Sequence, residues 1–276
     1  MRCLVAALAL FAMSSPHLEA QGVMIAPHAV FIDHRTRSAF IQLHNPGTEA
    51  AEVTIEHAYG YPVTDSLGFL ELRPIELGDS LFPLASWVQA FPRRVVVPPQ
   101  ARQTVRLLAR PPEGLPDGEY WARVVITAQA GQVPITGADS TRPGISVGVN
   151  LQVKTVIPLI YRKGVVQTGL ALSDIRAVPR GDSLMVRARM NRRGSGAWLG
   201  TVRGRLIAAA GDTVSAFESA LSVYYDLDPR FTLPLSGIPP GRYRLLLEAA
   251  STRTDIGPEY TLPAETVRSA VDIAIP

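Results

Sequence analysis

Residues 144–162 read GISVGVNLQVKTVIPLIYR. Between 145 and 153 every odd position is apolar: Ile145, Val147, Val149, Leu151 and Val153. The even positions are Ser146, Gly148, Asn150 and Gln152, with Lys154 next. Side chains on a strand alternate between faces, so this segment is predicted to be a strand with one apolar and one polar face. Alternation establishes a strand, not a role. The role has to come from what stands on either side.

Upstream, the chain reads as one short strand after another. Residues 23–32 (VMIAPHAVFI) suit an edge strand kinked at Pro27, because proline cannot donate to a ladder. Residues 38–44 suit a strand closed by the turn Asn45-Pro46-Gly47. Residues 51–59 suit a third, with Val53, Ile55 and His57 on one face. Further strands are predicted at 69–72, 87–97, 103–110 and 119–128, before a polar loop over 129–143. About seven strands in this span suit an immunoglobulin-like sandwich. Downstream, 170–178, 183–192, 199–209, 213–223, 231–235, 243–250 and 266–275 repeat the style of the first half but not its sequence. The expected fold is all-β, two immunoglobulin-like β-sandwich domains in tandem. Their boundary is placed near Lys163-Gly164, giving domains 21–163 and 164–276 without a long linker.

The first twenty residues have the form of a secretory signal. Arg2 is followed by a short apolar core at 4–13 (LVAALALFAM) and a candidate cleavage site after Ala20. That core is too short to span a bilayer. The single cysteine, Cys3, falls inside it, so the mature chain would hold no disulfide and no thiol chemistry. With no later run of about 18 apolar residues, the mature protein is expected to be exported, periplasmic and without a membrane span. The 276 residues carry 22 Gly and 23 Pro and a formal net charge of +3. Lysine occurs only at 154 and 163, and the arginines are scattered. Nucleic-acid binding needs a clustered basic footprint, so that class is set aside.

Several motifs admit a functional and a plainer reading. Gly-Asp-Ser-Leu occurs at 78–81 and 181–184, as in a family of serine esterases. A serine nucleophile needs a histidine base late in such chains, whereas all five His lie at or before residue 57. Arg180-Gly181-Asp182 is an adhesion tripeptide, but Gly-Asp also belongs in a hairpin turn. His28, His34, His44 and His57 match no common ligand spacing, so no metal is assigned and they are read as packed or edge residues. Trp87, Trp121 and Trp198, with Tyr59, Tyr61 and Tyr120, read as buried sandwich aromatics and not as a sugar-binding face. No catalytic set and no cofactor site emerges, and the chain is not read as an enzyme.

Four segments together resemble the periplasmic pilus-assembly chaperones. They are 39–47 (AFIQLHNPG), 91–107 (FPRRVVVPPQARQTVRL), 115–126 (LPDGEYWARVVI) and 156–162 (VIPLIYR). Fainter likeness lies at 190–200 and 241–247. The resemblance implies two sandwiches set at an angle. It also implies that the seventh strand of the first completes an unfinished secreted subunit, its apolar side chains Ile145, Val147, Val149, Leu151 and Val153 filling the slot of a missing strand. A pilin-like or other secreted subunit is the implied partner, with an outer-membrane usher as a further one. A bare apolar edge is sticky, so a dimer that caps itself through the same strand is also expected. In this family an Arg and a Lys hold the subunit's C-terminal carboxylate. Aligning the segments puts Ala29 and Pro158 at those two positions, and Arg35, Lys154 and Arg162 become the candidate anchors. The alternative reading is a non-chaperone periplasmic or cell-surface protein that uses the same sandwiches for structure or adhesion.

Overall fold

The structure, a computed structural model, describes residues 22–73, 83–130 and 152–276. The proposed signal, the Gly-Asp-Ser-Leu at 78–81 and positions 145–151 lie outside the described residues.

The first half forms β1 (Met24–Ala26), β2 (Val30–Asp33), β3 (Ser38–His44), β4 (Ala51–Ala58), β5 (Tyr61–Thr64) and β6 (Leu70–Arg73). A single helical turn, Leu84–Trp87, leads into β7 (Val88–Phe91), β8 (Arg94–Val97), β9 (Arg102–Ala109), β10 (Gly118–Ala130) and β11 (Gln152–Lys163). Two sheets face each other, ordered β1-β3-β9-β7 and β2-β11-β10-β4-β8. This is the immunoglobulin arrangement with two strands that change sheet partway. The predicted edge strand at 23–32 divides at the Ala26-Pro27 bond into β1 and β2, one in each sheet. The single strand expected at 87–97 divides likewise at Phe91-Pro92. A residue with no N–H cannot continue a ladder, so the chain leaves one sheet and joins the other.

Alternation accounts for the core. Ile41 and Leu43 of β3, Val53 and Ile55 of β4, Val105 and Leu107 of β9 and Val124 and Ile126 of β10 are all buried. The Asn45-Pro46-Gly47 turn ties the end of β3 to the end of β8 in the facing sheet. Asn45 Nδ2 donates to the carbonyls of Glu49 at 2.7 Å and Val97 at 3.0 Å, and its Oδ1 accepts from Gly47 N at 3.0 Å.

The second half forms β12 (Thr168–Arg180), β13 (Ser183–Gly194), β14 (Trp198–Ala208), β15 (Thr213–Val223), β16 (Arg230–Pro234), β17 (Gly241–Ala250) and β18 (Val267–Ile275). Its sheets are β12-β13-β16 and β15-β14-β17-β18, closing over Trp198, Met190, Leu206, Leu233 and Leu245. Gly181-Asp182 makes the tight turn between β12 and β13, with Gly181 at φ 55°, as the plainer reading of the adhesion tripeptide expects.

Each sandwich contains a tyrosine corner. Tyr120 Oη donates to the Pro116 carbonyl at 2.7 Å, and Tyr243 Oη to the Pro239 carbonyl at 2.8 Å. Each tyrosine stands at the start of a central strand, β10 or β17, which is where this device pins the corner of an immunoglobulin domain. The segments LPDGEY (115–120) and IPPGRY (238–243) share the spacing that makes it. The two halves therefore repeat in sequence at this one point, contrary to the expectation of likeness in style alone.

The histidines lie apart. His34 Nδ1 and the Tyr161 hydroxyl are 2.5 Å apart, and His44 Nδ1 bonds the Ala101 carbonyl at 3.1 Å. His57 on β4 has its Nε2 buried with no partner among the described residues. Burial, and secondarily the charge of Arg93, lowers its pKa from 6.5 to about 4. A folded pKa below the unfolded one means that the unfolded chain binds the proton first as pH falls. Stability is thus fully present above pH ~6.5 and is lost down to pH ~4, by about 2 kcal/mol after allowance for partial exposure. Thermal melts at pH 7 and 4.5 check this. Relative to wild type, His57→Gln should flatten the difference between the two pH values, and an unchanged slope would assign the acid sensitivity to other groups.

Candidate strand-pairing edge

β11 is unevenly covered. On one side it pairs with β10 along its whole length, from Gln152 opposite Gln129 to Lys163 opposite Gly118. On the other side β2 runs parallel to it only from Leu159 opposite Val30 to Arg162 opposite Asp33. From 152 to 158, that side of β11 has no strand neighbour among the described residues. Unpaired N–H and C=O groups along such an edge are ready to pair with another strand.

Odd-numbered side chains of β11 face the sandwich interior. Ile157, Leu159 and Tyr161 are buried there, while Thr155 and Val153 are only half-buried. Val153 stands opposite Ala128 of β10. It is the one predicted plug residue within the described part. Ile145, Val147, Val149 and Leu151 lie outside it.

Even-numbered side chains face out. Lys154 lies in a shallow polar groove with Gln152, Thr127, Gln129 and Glu52. Val156 is 38% exposed. Farther along, Ile160 and Arg162 turn toward the second sandwich. Ile160 packs with Tyr61, Ala197, Leu199 and Tyr224 in a small core between the two halves, edged by Phe31, Trp121 and Ile256. Trp121 and Tyr61 thus serve this junction and not a sandwich interior, unlike Trp87 and Trp198.

The polar centre of the junction is Glu119, whose side chain is fully buried. Its Oε1 accepts from Trp121 Nε1 at 2.6 Å and from Ala197 N at 2.9 Å, and its Oε2 accepts from Arg162 Nε at 2.6 Å. Nothing in the linear sequence marks this carboxylate beyond its place two residues before Trp121 in EYW.

The three candidate anchors do not converge. Arg35 is 91% exposed and pairs with Asp33 at 3.2 Å. Lys154 and Arg162 share a face but are eight positions apart, roughly 27 Å along a strand. Arg162 is held by Glu119 and lies over the Phe31 ring at 5.1 Å. It also lines a cleft of about 620 Å³ between the β1–β2 segment and residues 255–260, and its Nη2 is buried without a partner among the described residues. Tyr260 closes the cleft by stacking on Phe31, 4.4 Å between centroids.

No family model matches the chain, and no curated protein matches it. Solved structures do. One is the complex of the chaperone CsuC with the tip adhesion subunit CsuE from Acinetobacter baumannii, at 12% identity and TM-score 0.46, covering 90% of this chain and 97% of that one. Another is the SafA pilin with the SafB chaperone from Salmonella enterica, at 15% identity and TM-score 0.42, covering 91% and 97%. A third is the CupB2 chaperone of Pseudomonas aeruginosa, at 13% identity and TM-score 0.41, covering 92% and 100%. At this identity and overlap, the site stands on its own geometry.

Proposed function

We propose that this protein is an exported, periplasmic chaperone-like binder of an incomplete pilin-like subunit, acting by adding the open edge of β11 to the subunit's sheet. The observation that carries the reading is the 152–158 edge, paired on one side only among the described residues, with Val153 and Thr155 of its inward face only half-buried. Main-chain hydrogen bonds would set the register and alternate side chains would fill the slot. Of the candidate anchors, Arg162 is favoured for a terminal carboxylate, because it combines a cleft with an unpartnered buried N–H. The reading takes residues 1–20 as signal and divides the domains at Lys163-Gly164, where β11 ends and Gly164 takes φ 64°. No helix among the described residues is long and apolar enough to cross a membrane. The protein is read as a binder and not an enzyme, with an outer-membrane usher as a second partner.

The test is co-expression with a pilin-like subunit of the same genome that lacks one strand of its fold. A 1:1 complex is expected in the periplasmic fraction, with those backbone amides of 152–157 that point away from β10 protected from hydrogen exchange only in the complex. If those amides are equally protected without the subunit, the edge is already filled, by a second copy or by the chain itself. The structural or adhesive role then takes its place.

A further inference from the structure

The outer face of the sheet β12-β13-β16 carries three arginines in a row. Arg176 of β12 stands directly opposite Arg187 of β13, and Arg187 stands directly opposite Arg230 of β16. Like charges directly opposed on a sheet destabilise it. Asp228 compensates only the middle one, with its Oδ2 2.5 Å from Arg187 Nη2. Among the described residues Arg176, Arg180 and Arg230 carry no ion pair, and the Arg230 guanidinium lies instead 3.8 Å over the Phe69 ring.

These cations line one groove of about 240 Å³, and three apolar side chains lie between them: Leu67, Val178 and Met185. Leu67 comes from the other half of the chain, at the tip of the β5–β6 hairpin. The tip is fastened there by Arg230 N donating to the Gly68 carbonyl at 2.8 Å, Asp228 N to Thr64 Oγ1 at 3.0 Å and Arg187 Nη1 to the Ser66 carbonyl at 2.8 Å. Gly68 has φ 84°, and a Cβ there would meet Arg230 Cβ at 2.9 Å, so this approach requires glycine. Beyond the groove the hairpin leaves Phe69, Leu70 and Leu72 about half exposed.

We propose that this composite groove docks an acidic peptide segment of a partner protein, with carboxylates alternating with apolar side chains. Guanidinium groups bind carboxylates in a fixed two-pronged geometry, and incoming carboxylates relieve the repulsion in the row. The apolar side chains between the arginines have no use for a small inorganic anion. A concave groove between two elements does not fit a flat lipid surface. The site uses no residue of the β11 edge, so it stands or falls separately from strand addition.

The test is fluorescence anisotropy with a labelled ten-residue peptide alternating Glu with Leu, titrated with the full mature protein. Arg176→Gln and Arg180→Gln should each weaken binding about 10-fold or more, the loss of one charge-assisted contact. Replacing either Glu by Gln or Leu by Ser throughout the peptide should weaken it as well. The melting temperature of Arg176→Gln should stay level or rise, since it removes a repulsion. Three results would overturn the proposal: binding that survives both variants, a melting temperature that falls in Arg176→Gln, or phosphate or phosphatidylglycerol vesicles binding as tightly as the peptide through the same arginines.

Discussion

Val153→Arg is expected to abolish the complex with a strand-deficient subunit while leaving the free protein folded. Burying a valine side chain contributes about 1.5–3 kcal/mol. Forcing an unpaired guanidinium into an apolar slot costs several kcal/mol more. Together these exceed about 4 kcal/mol, or roughly 10³-fold in affinity. In the free protein the cost is small. Val153 is half-buried, opposite a small partner, Ala128. An arginine there can run its stem along the surface and keep its charge in water, at about 1 kcal/mol or less. Titration calorimetry with the subunit and a thermal melt of the free variant separate the two effects. Val149→Arg should behave the same way. If binding and melting temperature collapse together, the strand is plain core and the proposed function fails.

Glu119→Ala should have the largest effect on stability, a loss of about 3–5 kcal/mol, the range for removing one partner of a buried ion pair. The deletion strands three donors at once: Arg162 Nε, Trp121 Nε1 and the Ala197 amide. Two of these lie on neighbouring strands of the first sandwich and the third in the second sandwich, so the variant should also loosen one half from the other. Urea unfolding checks both points. The expected curve has a lower midpoint and splits into two transitions. A single transition at the wild-type midpoint would show that the apolar junction around Ile160 and Tyr224 suffices by itself. Glu119→Gln should fall between the two, since it keeps an acceptor for Trp121 and Ala197 but turns a donor toward Arg162.

Local pattern was enough to read much of the fold. Strands Ser38–His44 and Thr213–Val223 run where period-two alternation and turn residues put them. The region 87–97 was misread because its apolar residues continue straight across Pro92, and nothing local tells whether a chain resumes in the same sheet or the facing one. The hairpin at β5 was missed because Tyr61–Thr64 is short and contains a proline. The site was harder to read. Which positions of β11 are open depends on where β2 stops pairing, over a hundred residues earlier in the chain. Glu119 and Ala197 are 78 positions apart, and the arginine row joins three strands, so neither leaves a motif in a linear reading.

The short parallel ladder between β2 and β11 also works as a ruler. A strand added along β11 from Gln152 onward would find free backbone as far as Pro158 and then meet β2, which already holds Leu159 to Arg162. Pro158 has no N–H to offer at that point. The described part of the open edge is seven residues, roughly 23 Å. Under the proposed strand addition, an incoming strand would have a fixed end-point, and if it ran parallel to β11 its last residue would come toward the cleft that Arg162 lines. A partner strand one or two residues too long must buckle or displace β2. Length, as well as side-chain pattern, then becomes a criterion of fit.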